Sequence, residues 1–425
     1  MTNNFNRIFF LFFSILPLSI IVGPTVSLIN LLLLILFYCY IFFEQRHYKL
    51  FKNNLVLKLL IFVYLYLIFN SFISIKYEIG ILRNFGFIRL ILLFILINYF
   101  FYNYPKNYKI FNTWSLIIII FVFDVYLERF SGTNIFGWGA IEVNGIPQPS
   151  GNRVVSFFKD EPIAGAYLNA FIFLISGYLL LHLKNKNFGN IIFFLLILGF
   201  FFSVVITGER SNSIKAVICL ILFIGFLDFI KLKYKIIILA ILTCSLTLII
   251  SNSNYLKNRY LGQLYSKVFV DEKSTFFEEN IYIKLYKSGL NIFKNYPIFG
   301  VGNKNYRVES CKDKKDIIKY DYQCTTHPHQ VYIELLAEHG IVGTLILLSM
   351  FFFLIFKNLK TIILSKNYAQ IGCFLYLFTN FTPLIPSGSF FSDFNITLFF
   401  INFSLLYALD KKTNIFFVEK KIIKE

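Results

Sequence analysis

Residues 327–356 read HPHQVYIELLAEHGIVGTLILLSMFFFLIF. The stretch opens on two histidines separated by Pro328, then continues as an apolar run carrying Gly340-x-x-Gly343-Thr344. About 20 apolar residues in an α-helix cross the hydrocarbon core of a bilayer. A run of this length, entered from a polar segment that ends in histidines, indicates a membrane-embedded helical protein with its chemistry at the water–lipid boundary.

The rest of the chain agrees. Of 425 residues, 57% are hydrophobic, more than a soluble domain of this size buries. Apolar runs predict twelve helices, at roughly 8–22, 26–43, 55–75, 86–103, 114–128, 162–183, 188–206, 213–230, 234–251, 331–356, 363–381 and 393–409. The first has no A-x-A-like cleavage site and further spans follow it directly, so it reads as a span and not a signal peptide. The expected fold is an all-α integral membrane protein of about twelve transmembrane helices. Residues 1–251 hold helices 1–9, 252–330 form a large loop, 331–410 hold helices 10–12, and 411–425 form a tail.

Charge orients the chain. One set of alternate connections, with Arg7 and the C-terminus, holds 20 of the 41 Lys and Arg but only 5 of the 23 acidic residues. The positive-inside rule places this set, and both termini, in the cytoplasm. The 252–330 loop then faces the periplasm. A polar segment this long is usually functional. Within it, residues 278–294 read as an amphipathic helix with Ile283, Tyr286, Leu290 and Phe293 on one face, which could rest on the membrane surface. Asn295-Tyr-Pro297 stops it and a Gly300-Val-Gly302 turn follows.

The net charge of +18 does not indicate nucleic acid, because no basic recognition motif accompanies it. Lysine is abundant together with Phe, Ile, Asn and Tyr, as an AT-rich coding bias would produce, so arginine is the more informative cation. Seven of the nine arginines (Arg83, Arg89, Arg129, Arg153, Arg210, Arg259, Arg307) fall at or near the outer face, against the topological bias. Arginine binds phosphate bidentately and keeps its charge near lipid, so the cluster points to a bound phosphate or pyrophosphate. The competing account pairs individual arginines with Glu78, Asp124, Glu128, Asp160, Glu161 or Glu209. Arg210, in Thr207-Gly-Glu-Arg210-Ser-Asn-Ser, is the strongest single candidate. Arg153 precedes the sixth helix and Arg259 opens the long loop.

Cys39, Cys219, Cys244 and Cys373 lie in apolar spans and read as packing residues. Cys311 and Cys324 share the loop, where a disulfide is expected in a periplasmic compartment. It would tether the chain just ahead of His327 and His329. The alternative, a metal site of Cys311, Cys324, His327 and His329, has spacing unlike ordinary zinc motifs. His47 and His182 read as solvated or interfacial, and His339 as a packing residue. His327 and His329, in extended chain around Pro328, could face one side. There a neutral imidazole suits the role of general base toward an alcohol; a structural histidine is the plainer alternative.

His329-Gln330, nine residues, then Gly340-x-x-Gly343-Thr344 resembles the signature of the O-antigen ligase family, which includes O-antigen polymerases. Residues 153–167, Thr207-Gly-Glu-Arg210 and Pro297-Ile-Phe-Gly300-Val-Gly302 are similar to further family tracts. The resemblance implies an inner-membrane glycan transferase drawing on undecaprenyl-pyrophosphate-linked glycan, with no cofactor and no metal. It implies His329 as general base, and Arg210 and Arg259 as pyrophosphate contacts, with Arg153 and His327 in the same site. The acceptor would be lipid A–core in a ligase, or a second lipid-linked repeat in a polymerase. The chain departs from the pattern at 278–283, which reads EENIYI where many members carry an arginine. That duty falls to Arg259 or Lys284, or is absent. The rival classes are a transporter or flippase of lipid-linked glycan, which needs charges deep within its spans, and a structural envelope subunit.

Overall fold

The computed structural model describes residues 2–139, 153–183, 188–262 and 280–417, and these are helical with no strand among them. The connection 184–187, the first residues of the expected loop helix (Glu278 and Glu279) and the Lys-rich end beyond 417 lie outside the described residues. In chain order the main helices are α1 (Thr2–Ser14), α2 (Leu16–Val22), α3 (Pro24–Glu44), α4 (Leu55–Phe72), α5 (Tyr77–Gly86), α6 (Ile88–Asn103), α7 (Ile110–Ser131) and α8 (Ala164–Leu183). They continue as α9 (Gly189–Ile206), α10 (Arg210–Phe226), α11 (Leu232–Asn252), α12 (Ile281–Asn295), α13 (Val331–Phe356), α14 (Tyr368–Asn380) and α15 (Asp393–Ala408).

Each expected span contains a helix, but length and hydropathy divide them. Among the described residues, eight helical segments are long and apolar enough to cross a bilayer, or nine with the bent α1–α2 pair, which turns by 45° where Pro17 enters α2. The others are shorter: α10 has 17 residues, α14 has 13 and α15 has 16.

The core is organised around α8, which is buried along most of its length. It packs against α9, α10 and α14, while α15 packs against α6 and α14. The α8–α14 contact is backbone on backbone. A methyl group on Gly177 would lie 2.2 Å from the Tyr368 carbonyl, and one on Gly372 would lie 2.4 Å from that of Phe173. Small residues allow this approach, which replaces the hydrophobic drive that lipid does not supply. At the other extreme, only 6% of the α11 span is buried, and Leu232, Ile236 and Leu248 face outward. Lipid is their solvent.

Several expectations need correction. His47 is not solvated: it is buried, with Nδ1 2.6 Å from the Tyr38 hydroxyl and Nε2 3.1 Å from the Gln45 amide oxygen. Cys244 is exposed on the lipid face of α11 instead of packed. The loop helix α12 turns a different face inward. Leu285, Ser288, Gly289 and Ile292 are buried, whereas Ile283, Tyr286 and Phe293 are only partly covered and Leu290 is exposed. The reason is its partner: α12 packs on α13, and Gly289 lets Ile333 and Pro328 approach closely.

Candidate functional site

The Gly340 region sets the geometry. Gly340 has φ 61 and ψ −168, so α13 breaks there. A break frees backbone groups that cannot be left unpaired at membrane depth. The Pro297–Gly302 tract satisfies them. Val301 N–H donates to the Ala337 carbonyl (3.0 Å) and Gly302 N–H to that of Glu338 (2.8 Å), while Ile341 and Val342 N–H donate to the carbonyls of Pro297 (2.8 Å) and Ile298 (3.1 Å). The two chains can meet only without side chains. A methyl on Gly300 would sit 2.4 Å from the Glu338 carbonyl carbon, and one on Gly340 2.3 Å from that of Ile298. The tract's other side lies on α4 and the turn after it, through Asn70 and Ser74. The Gly-x-Gly and Gly-x-x-Gly tracts are therefore two halves of one backbone lock.

The lock holds the start of α13 in place. Gln330 caps that helix, its side-chain oxygen accepting from Ile333 N–H at 2.9 Å. His329 is not extended, as the sequence reading had it. It takes a left-handed backbone (φ 56), and its carbonyl accepts from Ser387 N–H at 2.8 Å. That turn brings the imidazoles of His327 and His329 together, with ring centroids 4.0 Å apart and planes inclined by 43°. Tyr282 of α12 lies edge-on to His329 at 6.2 Å. Cys311 and Cys324 are joined in a disulfide. This removes the thiolates a metal site would need.

The arginines converge from three parts of the chain onto one turn, Thr207–Arg210. Arg210 is the first residue of α10, one turn earlier than the sequence suggested, so it sits among the unpaired N–H groups that favour an anion. Glu209 fastens the turn to the start of α8: its carboxylate accepts from Gly165 N–H and from the Asn212 amide, both at 2.6 Å. Val154 N–H donates to the Thr207 carbonyl at 3.0 Å, and Val155 and Ser156 N–H donate to Glu128. Together these hold Arg153 beside the turn. Arg259 reaches it directly, Nε donating to the Gly208 carbonyl at 3.1 Å.

These groups enclose a single cavity of about 780 Å3, lined by Arg153, Arg210, Arg259, His327 and His329 among others. All five predicted site residues meet there. Of the two cations offered for the missing family arginine, Arg259 lines the cavity and Lys284 does not. The expected local ion pairs fail for Arg83 and Arg89. Both pair with Asp393, at 2.9 and 2.8 Å. Asp124 accepts from Ile135 N–H and the Ser156 hydroxyl, and Glu128 from Val155 and Ser156 N–H.

Lys304 and Ser389 escaped the sequence reading. Both line the cavity, together with Arg83 and Arg307 of the outer-face arginine group. The Lys304 ammonium donates to the Ser389 hydroxyl and lies 4.0 Å from Glu334. Ser389 donates to Glu334 at 2.5 Å. The coding bias toward lysine hid Lys304. The polar Pro386-Ser-Gly-Ser389 interval between two apolar runs was a usable signal.

Burial decides the protonation states here. It lowers the His327 imidazole to about 3, helped by His329 and then Lys304. It lowers His329 as well, opposed by the Ser387 backbone. Both rings are therefore neutral near pH 7. Burial lifts the Glu209 carboxyl to about 7, against the hydrogen bonds from Gly165 and Asn212 and the charge of Arg153. It lowers the Lys304 ammonium, which Glu334 and Glu338 pull back up while Arg83 and Arg307 push it down. The cavity thus combines clustered cations with neutral imidazoles, an arrangement suited to holding an oxyanion leaving group next to a base.

Residues 164–348 match the family model described as O-antigen ligase. No curated protein matches the chain. The matched segment begins at α8 and ends within α13. It carries Arg210, Arg259 and both histidines, and Arg153 lies just ahead of it.

Proposed function

We propose, from the match of residues 164–348 to the O-antigen ligase family model, that this multi-pass inner-membrane protein transfers glycan from undecaprenyl pyrophosphate to an acceptor sugar hydroxyl at the periplasmic face. The observation that carries the reading is the convergence of Arg153, Arg210, Arg259, His327 and His329 on one cavity.

In this mechanism His329 accepts the proton of the acceptor hydroxyl. The oxygen attacks the anomeric carbon as the bond to pyrophosphate breaks, and undecaprenyl pyrophosphate leaves. A single displacement inverts the anomeric configuration. Charge grows on the pyrophosphate oxygens in the transition state, where Arg210, Arg259 and Arg153 are already oriented to receive it. Neutral His329 is in the state a base requires. Its left-handed backbone, pinned through Ser387, keeps the ring in place without movement of α13. Electrostatic stabilisation and acid–base catalysis from these side chains are the contributions this chain supplies.

The test is a lipopolysaccharide gel from a strain lacking the gene, complemented with the wild type or with His329→Ala. Loss of the ladder with normal membrane insertion of the variant supports the mechanism. Core bearing a single repeat indicates a polymerase. Bare core with long glycan retained on the lipid carrier indicates a ligase. A wild-type ladder from His329→Ala overturns the assignment of the base.

A further inference from the structure

The cavity's cations fall into two groups. Arg153, Arg210 and Arg259 gather on the Thr207–Arg210 turn. Lys304, Arg307 and Arg83 lie near one another on the histidine side, with Lys304 and Arg307 close enough to act on His327. A lipid pyrophosphate accounts for the first group and leaves the second without a task.

Within that second group the charges are compensated unequally. Arg83 is paired with Asp393. Lys304 is buried against Ser389 and Glu334. Arg307 is exposed, lines the cavity, and among the described residues makes no ion pair and no side-chain hydrogen bond. Its position is nonetheless fixed. It lies on the short helix Tyr306–Ser310. There Tyr306 N–H donates to Glu338 at 3.3 Å, the Tyr306 hydroxyl donates to Ser288 at 3.0 Å, and the Ser310 hydroxyl donates to the Thr325 carbonyl at 3.1 Å. The Cys311–Cys324 disulfide follows Arg307 by four residues and precedes His327 by three. It therefore ties this helix to the chain that carries both histidines. Thr326, Ser387, Ser389 and Asn395 line the same cavity, offering the hydroxyl and amide groups that carbohydrate accepts.

We propose that Arg307, backed by Lys304, forms a second anion subsite that takes a phosphate or carboxylate on the acceptor, close to the hydroxyl that His329 deprotonates. This rests on the transfer reading above. A base stands between donor and acceptor, so cations grouped with the histidines and apart from the Thr207–Arg210 turn meet the acceptor. The guanidinium fork fits either oxyanion bidentately.

The test is steady-state transfer by the purified full-length protein in lipid nanodiscs, with its own lipid-linked donor and acceptor. Arg307→Ala is expected to raise the acceptor KM by about tenfold or more, the scale of one lost charge-assisted hydrogen bond, and to leave the donor KM in place. Arg307→Lys should recover part of the loss. Removing acceptor phosphates enzymatically, or amidating its carboxylates, should reproduce the Arg307→Ala value in the wild type and add nothing in the variant. Whichever treatment does so identifies the anion. An unchanged acceptor KM, a shift in the donor KM instead, or full additivity with both treatments overturns the subsite. Failure of the transfer reading is distinguishable, because the wild-type protein would then show no transfer to the untreated acceptor. Retained resistance of Cys311 and Cys324 to thiol labelling shows that the Arg307 variants are folded.

Discussion

Gly340→Ala is the most searching perturbation of the backbone lock. Two effects act together. Forcing a non-glycine residue into φ 61, ψ −168 costs about 1–3 kcal/mol. The new methyl would also lie 2.3 Å from the Ile298 carbonyl carbon, and that atom is backbone and cannot rotate aside. Relief requires the Pro297–Gly302 tract to move off α13. This loosens up to four hydrogen bonds, each contributing about 1 kcal/mol. The expected loss is roughly 3–6 kcal/mol, a large share of the ~5–15 kcal/mol by which native proteins are stable. Gly199→Ala is the matched control. It too is a glycine within an apolar helix, but a methyl there meets nothing within 4 Å. That change should be neutral or stabilising by up to about 1 kcal/mol. The assay is thermal unfolding in detergent followed by size-exclusion fluorescence, with the glycan ladder read from the same strains. If Gly340→Ala unfolds with Gly199→Ala and the wild type, the lock does not hold α13 as argued.

Other consequences are independent of the lock. Arg210→Lys should reduce transfer by about tenfold or more, because an ammonium cannot form the bidentate contact; near-normal turnover would reduce Arg210 to a point charge. Since burial lowers His329 below the ordinary imidazole value, the neutral base persists as pH falls through about 6.5, and the acid limb of activity should lie below that. Repeating the profile in Glu209→Gln removes a cavity carboxyl that titrates near 7, and an acid limb still at or above 6.5 would count against a buried imidazole base. The same shifts affect stability. Below about 6.5 the unfolded chain binds protons at His327 and His329 that the folded cavity refuses, so stability should fall as pH drops toward the His327 value of about 3. Double His327→Gln/His329→Gln should flatten that slope in a denaturation series. A maleimide applied without reductant after unfolding in SDS, where thiolates can form, should spare Cys311 and Cys324 while labelling the free Cys39, Cys219, Cys244 and Cys373. Labelling of the pair would show that no bridge forms.

What the sequence disclosed and withheld follows a physical division. Apolar runs report burial in lipid or protein alike, so each expected span contained a helix. The same signal could not say how far each crosses, because α14 and α15 are short helices covered by neighbours, with core and membrane reading alike. Charge was legible at the cavity. Arginine stands out against a lysine-rich background, and Arg153, Arg210 and Arg259 meet as a group even though 106 positions separate the first from the last. The face of α12 was misread because periodicity marks apolar residues, whereas Gly289 admits Ile333 of α13 and Ser288 accepts from the Tyr306 hydroxyl and Gln323 N–H. Small residues that permit close approach carry no hydropathy signal.

The lock shows the limit most clearly. Gly300-Val-Gly302 read as a turn after a helix, and Gly340-x-x-Gly343 as the start of a span. Their relation is a set of backbone hydrogen bonds between residues 36 or more positions apart, and backbone pairing leaves no side-chain trace except the absence of Cβ. The glycines were visible, but their partners were not. The pairing also gives the break in α13 a function. A continuous helix would satisfy its own carbonyls and need nothing from the loop. An interrupted one requires the Pro297–Gly302 tract, and that tract leads directly into Lys304 and Arg307. The break therefore couples the positions of both histidines to the cations beside them. A mutation that merely straightened α13 should disorder the cavity while leaving the other membrane helices intact.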